Sequence, residues 1–245
     1  MIEWASLRAE RVLAEDAAIL ALNKPAGVSV TGERHDTDLV RMAAEAGETL
    51  YPVHRIDKAT SGLVLFAKDL AAHGGLTRQF NKRTVDKRYL AVVTGGDVPE
   101  RGAIELPLST GRKNRVRVAA PREAIAATGD RWGVPASQVF THVKTYPSLT
   151  EFETVWTDGA RALLAVRPVT GRRHQIRVHL AWIGFAVVGD PLFDKHSTQR
   201  TLLHSWRLSV DAAWRDDERL ALEAEPGADF LSAIGDFDPK ALADL

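Results

Sequence analysis

Alternation of apolar and polar positions is strongest where Glu151-Phe152-Glu153-Thr154-Val155-Trp156 and Ala162 to Val166 flank Asp158-Gly159. A period of two around such a turn dipeptide predicts an antiparallel hairpin with one wet face. Leu63 to Ala67 is a continuous apolar run, the pattern of a buried strand, and Ile19 to Lys24 reads as a strand that Pro25-Ala26-Gly27 breaks. Further short strands are expected over Arg11 to Leu13, Arg88 to Val93, Phe185 to Val188 and Leu202 to Val210. Ile104 to Leu106 and Val116 to Val118 predict a hairpin across the basic Gly111-Arg112-Lys113-Asn114 turn.

Helical signals are fewer. Asp38 to Ala46 predicts a helix that Gly47 closes, and Asp69 opens another running to about Phe80 despite Gly74-Gly75. Thr170-Gly171 leads into Arg172 to Leu180, where Ile176, Leu180 and Ile183 mark one helical stripe and Arg173 and Arg177 share another. From about Ala119 to Ser148 no period persists, which reads as an irregular insertion. The fold class is therefore α+β, a mixed and mainly antiparallel sheet with flanking helices, in a single domain over 1–245.

Composition fits a soluble globular chain, with 45% apolar and 26% charged residues in 245. Without cysteine there is neither a disulfide framework nor a thiolate metal site, and a reducing, cytoplasmic setting is expected. Charges in Met1 to Glu10 and the lack of a long apolar run argue against a signal peptide or membrane span.

The formal net charge is zero, but its distribution is uneven. Asp211 to Leu245 holds ten acids and three bases, which leaves 22 acids and 29 bases for the preceding 210 residues. An acidic tail thus offsets a basic body. Three cationic stretches run along that body: Arg78 to Arg88, Arg112 to Arg117, and Arg161 to Arg177. If they converge they form a phosphate-binding footprint; solvated basic faces are the plainer alternative.

The candidate chemistry lies in His54-Arg55-Ile56-Asp57-Lys58-Ala59-Thr60-Ser61-Gly62, a polar turn entering the Leu63 strand. An aspartate between Arg55 and Lys58 is favoured as its anion and can act as nucleophile, base or metal ligand; an Asx-type turn is the bland alternative. Metal binding is poorly supported, because His174 and His179 stand five apart on different sides of a helix and no His-Glu-x-x-His occurs. His179 reads instead as a packed, hydrogen-bonded histidine. Glycine-rich nucleotide loops are missing, and no motif selects a second carboxylate for glycosidase chemistry among Glu105, Glu151 and Glu153.

Taken with Asn23-Lys24-Pro25-Ala26-Gly27, Lys87-Arg88-Tyr89-Leu90-Ala91 and Thr170-Gly171-Arg172-Arg173-His174-Gln175-Ile176-Arg177-Val178-His179-Leu180, the Asp57 segment resembles the ordered motifs of the RluA-type pseudouridine synthases. Gly189-Asp190-Pro191-Leu192 and Leu203-His204-Ser205 resemble later signatures, so the likeness runs from about Val12 to Phe230. Ile56, Ala59 and Phe193 depart from the usual residues, and the 119–148 segment is longer than expected.

The resemblance implies an RNA uridine isomerase that needs no cofactor and acts on transfer or ribosomal RNA; a monomer is expected, with no obligatory protein partner evident in the sequence. The family often has an extra N-terminal RNA-binding domain, but here the first motif strand begins by Arg11, so the catalytic domain or its insertion is expected to hold the RNA. By the same likeness Asp57 is the catalytic carboxylate, Tyr89 lies against the target ring, and Arg177 pairs with Asp57. Arg55 enters the RNA stack in place of the extruded base, and Lys24, Arg172 and Arg173 are candidate phosphate contacts. A noncatalytic RNA-binding or folding module of the same fold is the alternative.

Overall fold

The computed structural model describes residues 3–32, 38–215 and 218–242. In chain order it begins α1 (Trp4–Arg11), β1 (Val12–Glu15), β2 (Ile19–Lys24), α2 (Leu39–Glu45), β3 (Tyr51–Pro52), β4 (Ser61–Ala67) and α3 (Leu70–Lys82). There follow β5 (Asp86–Thr94), β6 (Arg101–Glu105), β7 (Leu108–Thr110), β8 (Val116–Val118), β9 (Ala126–Thr128) and β10 (Arg131–Gly133). The chain continues with β11 (Thr145–Tyr146), β12 (Leu149–Thr157), β13 (Arg161–Pro168) and α4 (Gln175–Trp182). It closes with β14 (Leu203–Ala212), β15 (Glu218–Glu223) and α5 (Ala228–Leu231).

These elements form two compact units interleaved along the chain: residues 1–88 with 203–227, and 89–202 with 228–245. In the first unit β1, β2 and β4 pair antiparallel, and β14 joins β4 in parallel with β15 on its far side. All seven residues of β4 are buried, as its unbroken apolar run requires. Ile19 and Ala21, Leu63 and Leu65, and Leu208 and Val210 pack together with Leu76 of α3, a period-two face meeting a helix. Asp38 and Asp69 cap α2 and α3 by accepting from the first-turn amides of Val40, Arg41 and Ala72.

In the second unit β5, β13, β12 and β6 pair antiparallel in that order. β10 joins β6 in parallel and β9 closes the edge. A second sheet has the order β11-β7-β8. The hairpin across the basic turn is therefore β7 with β8, not residues 104–106 with 116–118. β6 is drawn instead to β12 and β10, where Gly102 lets Trp132 and Phe152 close over it: an added Cβ would lie 2.5 and 2.6 Å from their rings. Residues 119–148, expected to be irregular, supply β9, β10 and β11.

Other departures are local. Phe185 to Val188 makes one isolated bridge, Val187 to Val93, rather than a strand. α1 was not anticipated, although Trp4 and Leu7 bury one side of it. α4 starts only at Gln175, so Arg173 lies in the turn before it and shares no helical face with Arg177.

Candidate active site

Asp57 sits in a half-buried turn, with its carbonyl accepting from Thr60 N at 3.0 Å. Polar groups fix the turn on two sides. Gly27 N donates to Lys58 O at 2.7 Å, which ties the loop after β2 to the turn. Lys24, only 1% exposed, donates through Nζ to Val28 O at 2.7 Å and Pro25 O at 3.0 Å and approaches Lys58 O at 3.4 Å. This corrects the expectation of a phosphate contact at Lys24. Its ammonium is buried against main-chain carbonyls of the loop after β2 and of the Asp57 turn, not on the exposed surface that a phosphate contact calls for.

On the other side of the turn, Ser61 and His204 are both buried. The Ser61 hydroxyl meets His204 Nδ1 at 2.8 Å while His204 Nε2 lies 2.8 Å from Ala224 O. A carbonyl can only accept, so Nε2 carries the proton and Nδ1 accepts from Ser61. The next residue, Gly62, has φ +104°, and a Cβ there would stand 2.2 Å from Ser205 O. Glycine is the residue that lets β14 come this close to the strand carrying the turn.

His54 braces the approach to the turn. Its Nε2 accepts from Leu65 N at 3.0 Å and its ring stacks on Phe80 at 4.7 Å. Burial, helped by the positive charge of Lys87, pushes its pKa down to about 3, so the ring is neutral with the proton on Nδ1. Burial likewise lowers the pKa of Lys87. Arg55 is exposed and engages no partner among the described residues.

The second unit holds Tyr89, Arg172, Arg173 and Arg177. Tyr89 is half-buried on β5, opposite Val166 in the ladder. Arg177 is not on a wet face: it is buried on α4 and donates through Nε and Nη2 to Asp190 at 2.8 and 2.5 Å. Leu192 N donates to the same carboxylate at 2.9 Å. Asp190 belongs to the quoted Gly189-Asp190-Pro191-Leu192 segment, but sequence reasoning gave it no role. Its only signal was membership of that motif.

His179 is fully buried, with Nε2 3.0 Å from Leu106 O and Nδ1 2.9 Å from Thr150 Oγ1. It is a hydrogen-bonded core histidine, and burial pushes its pKa down to about 4, partly opposed by the Leu106 carbonyl. Arg172 is half-buried and its guanidinium stands 5.0 Å from the Tyr146 ring centroid. Arg173 is exposed. Among the described residues no group of three or more histidine, cysteine or acidic side chains is placed to hold a metal.

The protein is of the α+β class, with a mixed, mainly antiparallel sheet, an aspartate turn held at the head of a fully buried strand, and exposed arginines at positions 55 and 173. Residues 18–182 match the model of the RNA pseudouridylate synthase family, and the chain belongs to that family. The dual-specificity RNA pseudouridine synthase RluA of Vibrio vulnificus is 35% identical over 211 residues, covering 81% of this chain and 76% of its own. The tRNA pseudouridine synthase C of Pasteurella multocida is 33% identical over 217 residues, covering 80% and 84%.

Solved structures share the fold. The human RNA pseudouridylate synthase domain-containing protein 4 superposes with a TM-score of 0.73 at 21% identity, covering 93% of this chain and 92% of that one. The human domain-containing protein 1 gives 0.64 at 22%, covering 94% and 96%. The chain is thus an isomerase that converts uridine in RNA to pseudouridine.

Proposed function

We propose that this enzyme isomerises specific uridines of transfer or ribosomal RNA, with Asp57 as its catalytic carboxylate and the target base flipped out of its stack. The observation that carries the assignment is the anchoring of the Asp57 turn. Lys24, Gly27, Ser61 and His204 all hold it through buried or main-chain bonds, more fixing than a solvent-facing Asx turn needs. The names of the two bacterial relatives, one a dual-specificity RNA enzyme and the other a tRNA enzyme, support an RNA substrate with transfer RNA among the candidates.

Isomerisation breaks the bond from ribose C1′ to uracil N1, turns the ring and joins C1′ to C5. The C5 proton leaves and N1 gains one, so no electrons are exchanged. Asp57 serves either by attacking as a nucleophile or by taking a ribose proton to give a glycal; each route uses the one anionic carboxylate. Tyr89 stacks on the target ring and its hydroxyl assists removal of the C5 proton. Arg177 orients Asp57 as a positioning residue. Asp190 takes its Nε–Nη2 edge and fixes the guanidinium for that role.

Arg55 fills the gap left by the extruded base, offsetting part of a flipping cost of a few kcal/mol. Arg172 and Arg173 contact phosphate. The enzyme works as a monomer in the cytoplasm; the compartment, though not the oligomeric state, is supported by its RNA substrate and its lack of cysteine. Among the described residues no helix is long and apolar enough to cross a membrane.

Asp57→Ala tests the assignment. Release of tritium from C5-labelled uridine in RNA should vanish, while RNA affinity stays within about threefold, because phosphate contacts supply most of it. Turnover by this variant overturns the role of Asp57.

A further inference from the structure

Lys144, Tyr146 and Arg172 form a cluster in the second unit that the roles assigned to Asp57, Tyr89 and Arg177 leave unused. Lys144 Nζ lies 5.4 Å from the Tyr146 ring centroid and the Arg172 guanidinium 5.0 Å from it, both within cation–π range. Tyr146 is on β11, in the segment where the sequence showed no period; Arg172 is in the turn before α4.

A buried network holds the two on one frame. Leu149 N donates to Thr170 Oγ1 at 3.1 Å, and that hydroxyl donates to Gln175 Oε1 at 2.6 Å. Arg172 N donates to the same Oε1 at 3.1 Å, and Gln175 Nε2 returns to Leu149 O at 2.9 Å. Ser148 Oγ donates to Tyr146 O at 2.9 Å. These bonds fix the backbone on either side of the ring and the guanidinium.

Stability alone does not explain the cluster. Lys144 and Arg172 have no carboxylate partner among the described residues, so two cations lie within range of one ring with no acid to offset them. Arg172 Nε is buried without an acceptor, which is itself destabilising. What such a site lacks is an anion that also offers a flat face. A single-stranded nucleotide has both, since its base stacks on aromatic rings or guanidinium planes while its phosphate pairs with the cations. An acidic peptide supplies the charge but not the face.

We propose that Lys144, Tyr146 and Arg172 bind a single-stranded nucleotide of the substrate other than the reacting uridine. Its base stacks on the Tyr146 ring and its phosphate pairs with Lys144 and Arg172. The proposal rests on the RNA-modifying reading above and adds a specific contact to it.

Fluorescence anisotropy with a labelled, unstructured RNA oligomer tests it, in the Asp57→Ala background so that turnover plays no part. Tyr146→Leu should weaken binding roughly 5- to 100-fold, and Tyr146→Phe, which keeps the ring, should bind within about twofold of the parent. In the active enzyme Tyr146→Leu should raise KM and leave kcat unchanged. Lys144→Gln, at an exposed side chain whose described contact is with the Tyr146 ring, should reduce the slope of log affinity against log salt by about 0.7.

Equal binding by folded Tyr146→Leu, weak binding by Tyr146→Phe, or an unchanged salt slope in Lys144→Gln overturns the proposal. So does competition by polyglutamate as effective as by RNA. If Tyr146→Leu fails to fold, the Lys144→Gln slope decides alone. Failure of the broader reading looks different: wild-type enzyme would leave no pseudouridine in RNA, whatever these variants bind.

Discussion

Replacing Asp190 with Asn keeps the shape of the side chain and removes its charge, isolating what the carboxylate does for Arg177. In the folded protein both partners are buried, 5% and 0% exposed at the side chain. Asp190 accepts from Nε, Nη2 and Leu192 N. An amide in its place keeps one acceptor but turns an N–H group toward a guanidinium that can only donate. Removing one partner of a buried pair leaves an uncompensated charge, at a cost of about 3 to 5 kcal/mol. That is a large part of the roughly 5 to 15 kcal/mol by which folded domains are stable. With a urea slope of roughly 2 kcal/mol per molar, the midpoint should fall by about 2 M. Unfolding followed by circular dichroism, with hydrogen exchange over residues 175–194 reporting the second unit, measures the loss. Replacing both partners by apolar residues, Arg177→Met with Asp190→Leu, should cost less stability than Asp190→Asn alone, since no charge is stranded. A loss below about 1 kcal/mol in Asp190→Asn, or additive losses in the double variant, would falsify the account of a mutually dependent pair.

Acid should weaken both units before their carboxylates titrate. His54 and His179 are held neutral, with pKa values of about 3 and about 4, whereas the unfolded chain takes up those protons near 6.5. Their contribution is complete above pH 6.5 and is lost as pH falls toward the folded values, roughly 2 kcal/mol each by pH 5. Urea midpoints at pH 7 and pH 5 should differ accordingly, and the difference should shrink in His179→Gln; identical midpoints would sink the assignment. Glycines separate by surroundings. Gly62→Ala must place a Cβ against the Ser205 backbone at φ +104° and should cost about 3 kcal/mol or more, lowering activity through the Asp57 turn. Gly75→Ala, inside α3 with nothing within 4 Å of the new Cβ, should raise stability by about 1 kcal/mol. Thermal melts of the two variants shifting in the same direction would contradict this reasoning.

Elements specified by their own residues were legible in the sequence. Asp38 and Asp69 cap the helices they were expected to open, and Asp158-Gly159 turns the β12–β13 hairpin. Elements specified by distant partners were not. β6 was drawn into the wrong hairpin because its ladder goes to β12 and β10, whose sequences lie far along the chain. β9 and β10 together have only three residues each and no period to detect, yet they extend a sheet. α1 was hidden by its charges, since Arg8 and Arg11 obscure the burial of Trp4 and Leu7.

At the site the difficulty had a single physical source, the burial of polar groups whose partners lie elsewhere in the chain. A helix carrying Gln175, Arg177 and His179 among apolar residues reads as half wet, but every residue from Gln175 to Ala181 is buried. What makes that burial tolerable is a set of acceptors and donors in other segments: Asp190 for Arg177, Thr150 and Leu106 for His179, Leu149 and Thr150 for Gln175. Lys24 follows the same logic, an apparent surface cation whose ammonium is matched by main-chain carbonyls. A buried polar group with complete partners is fixed in place as firmly as a packed apolar one, and it adds direction. The reacting groups proposed here therefore need little strain or mobility of their own. Asp57 depends on Lys24, Ser61 and His204 for its turn and Arg177 on Asp190 for its orientation, so substitutions at those supporting positions should lower kcat through geometry although none touches the uridine.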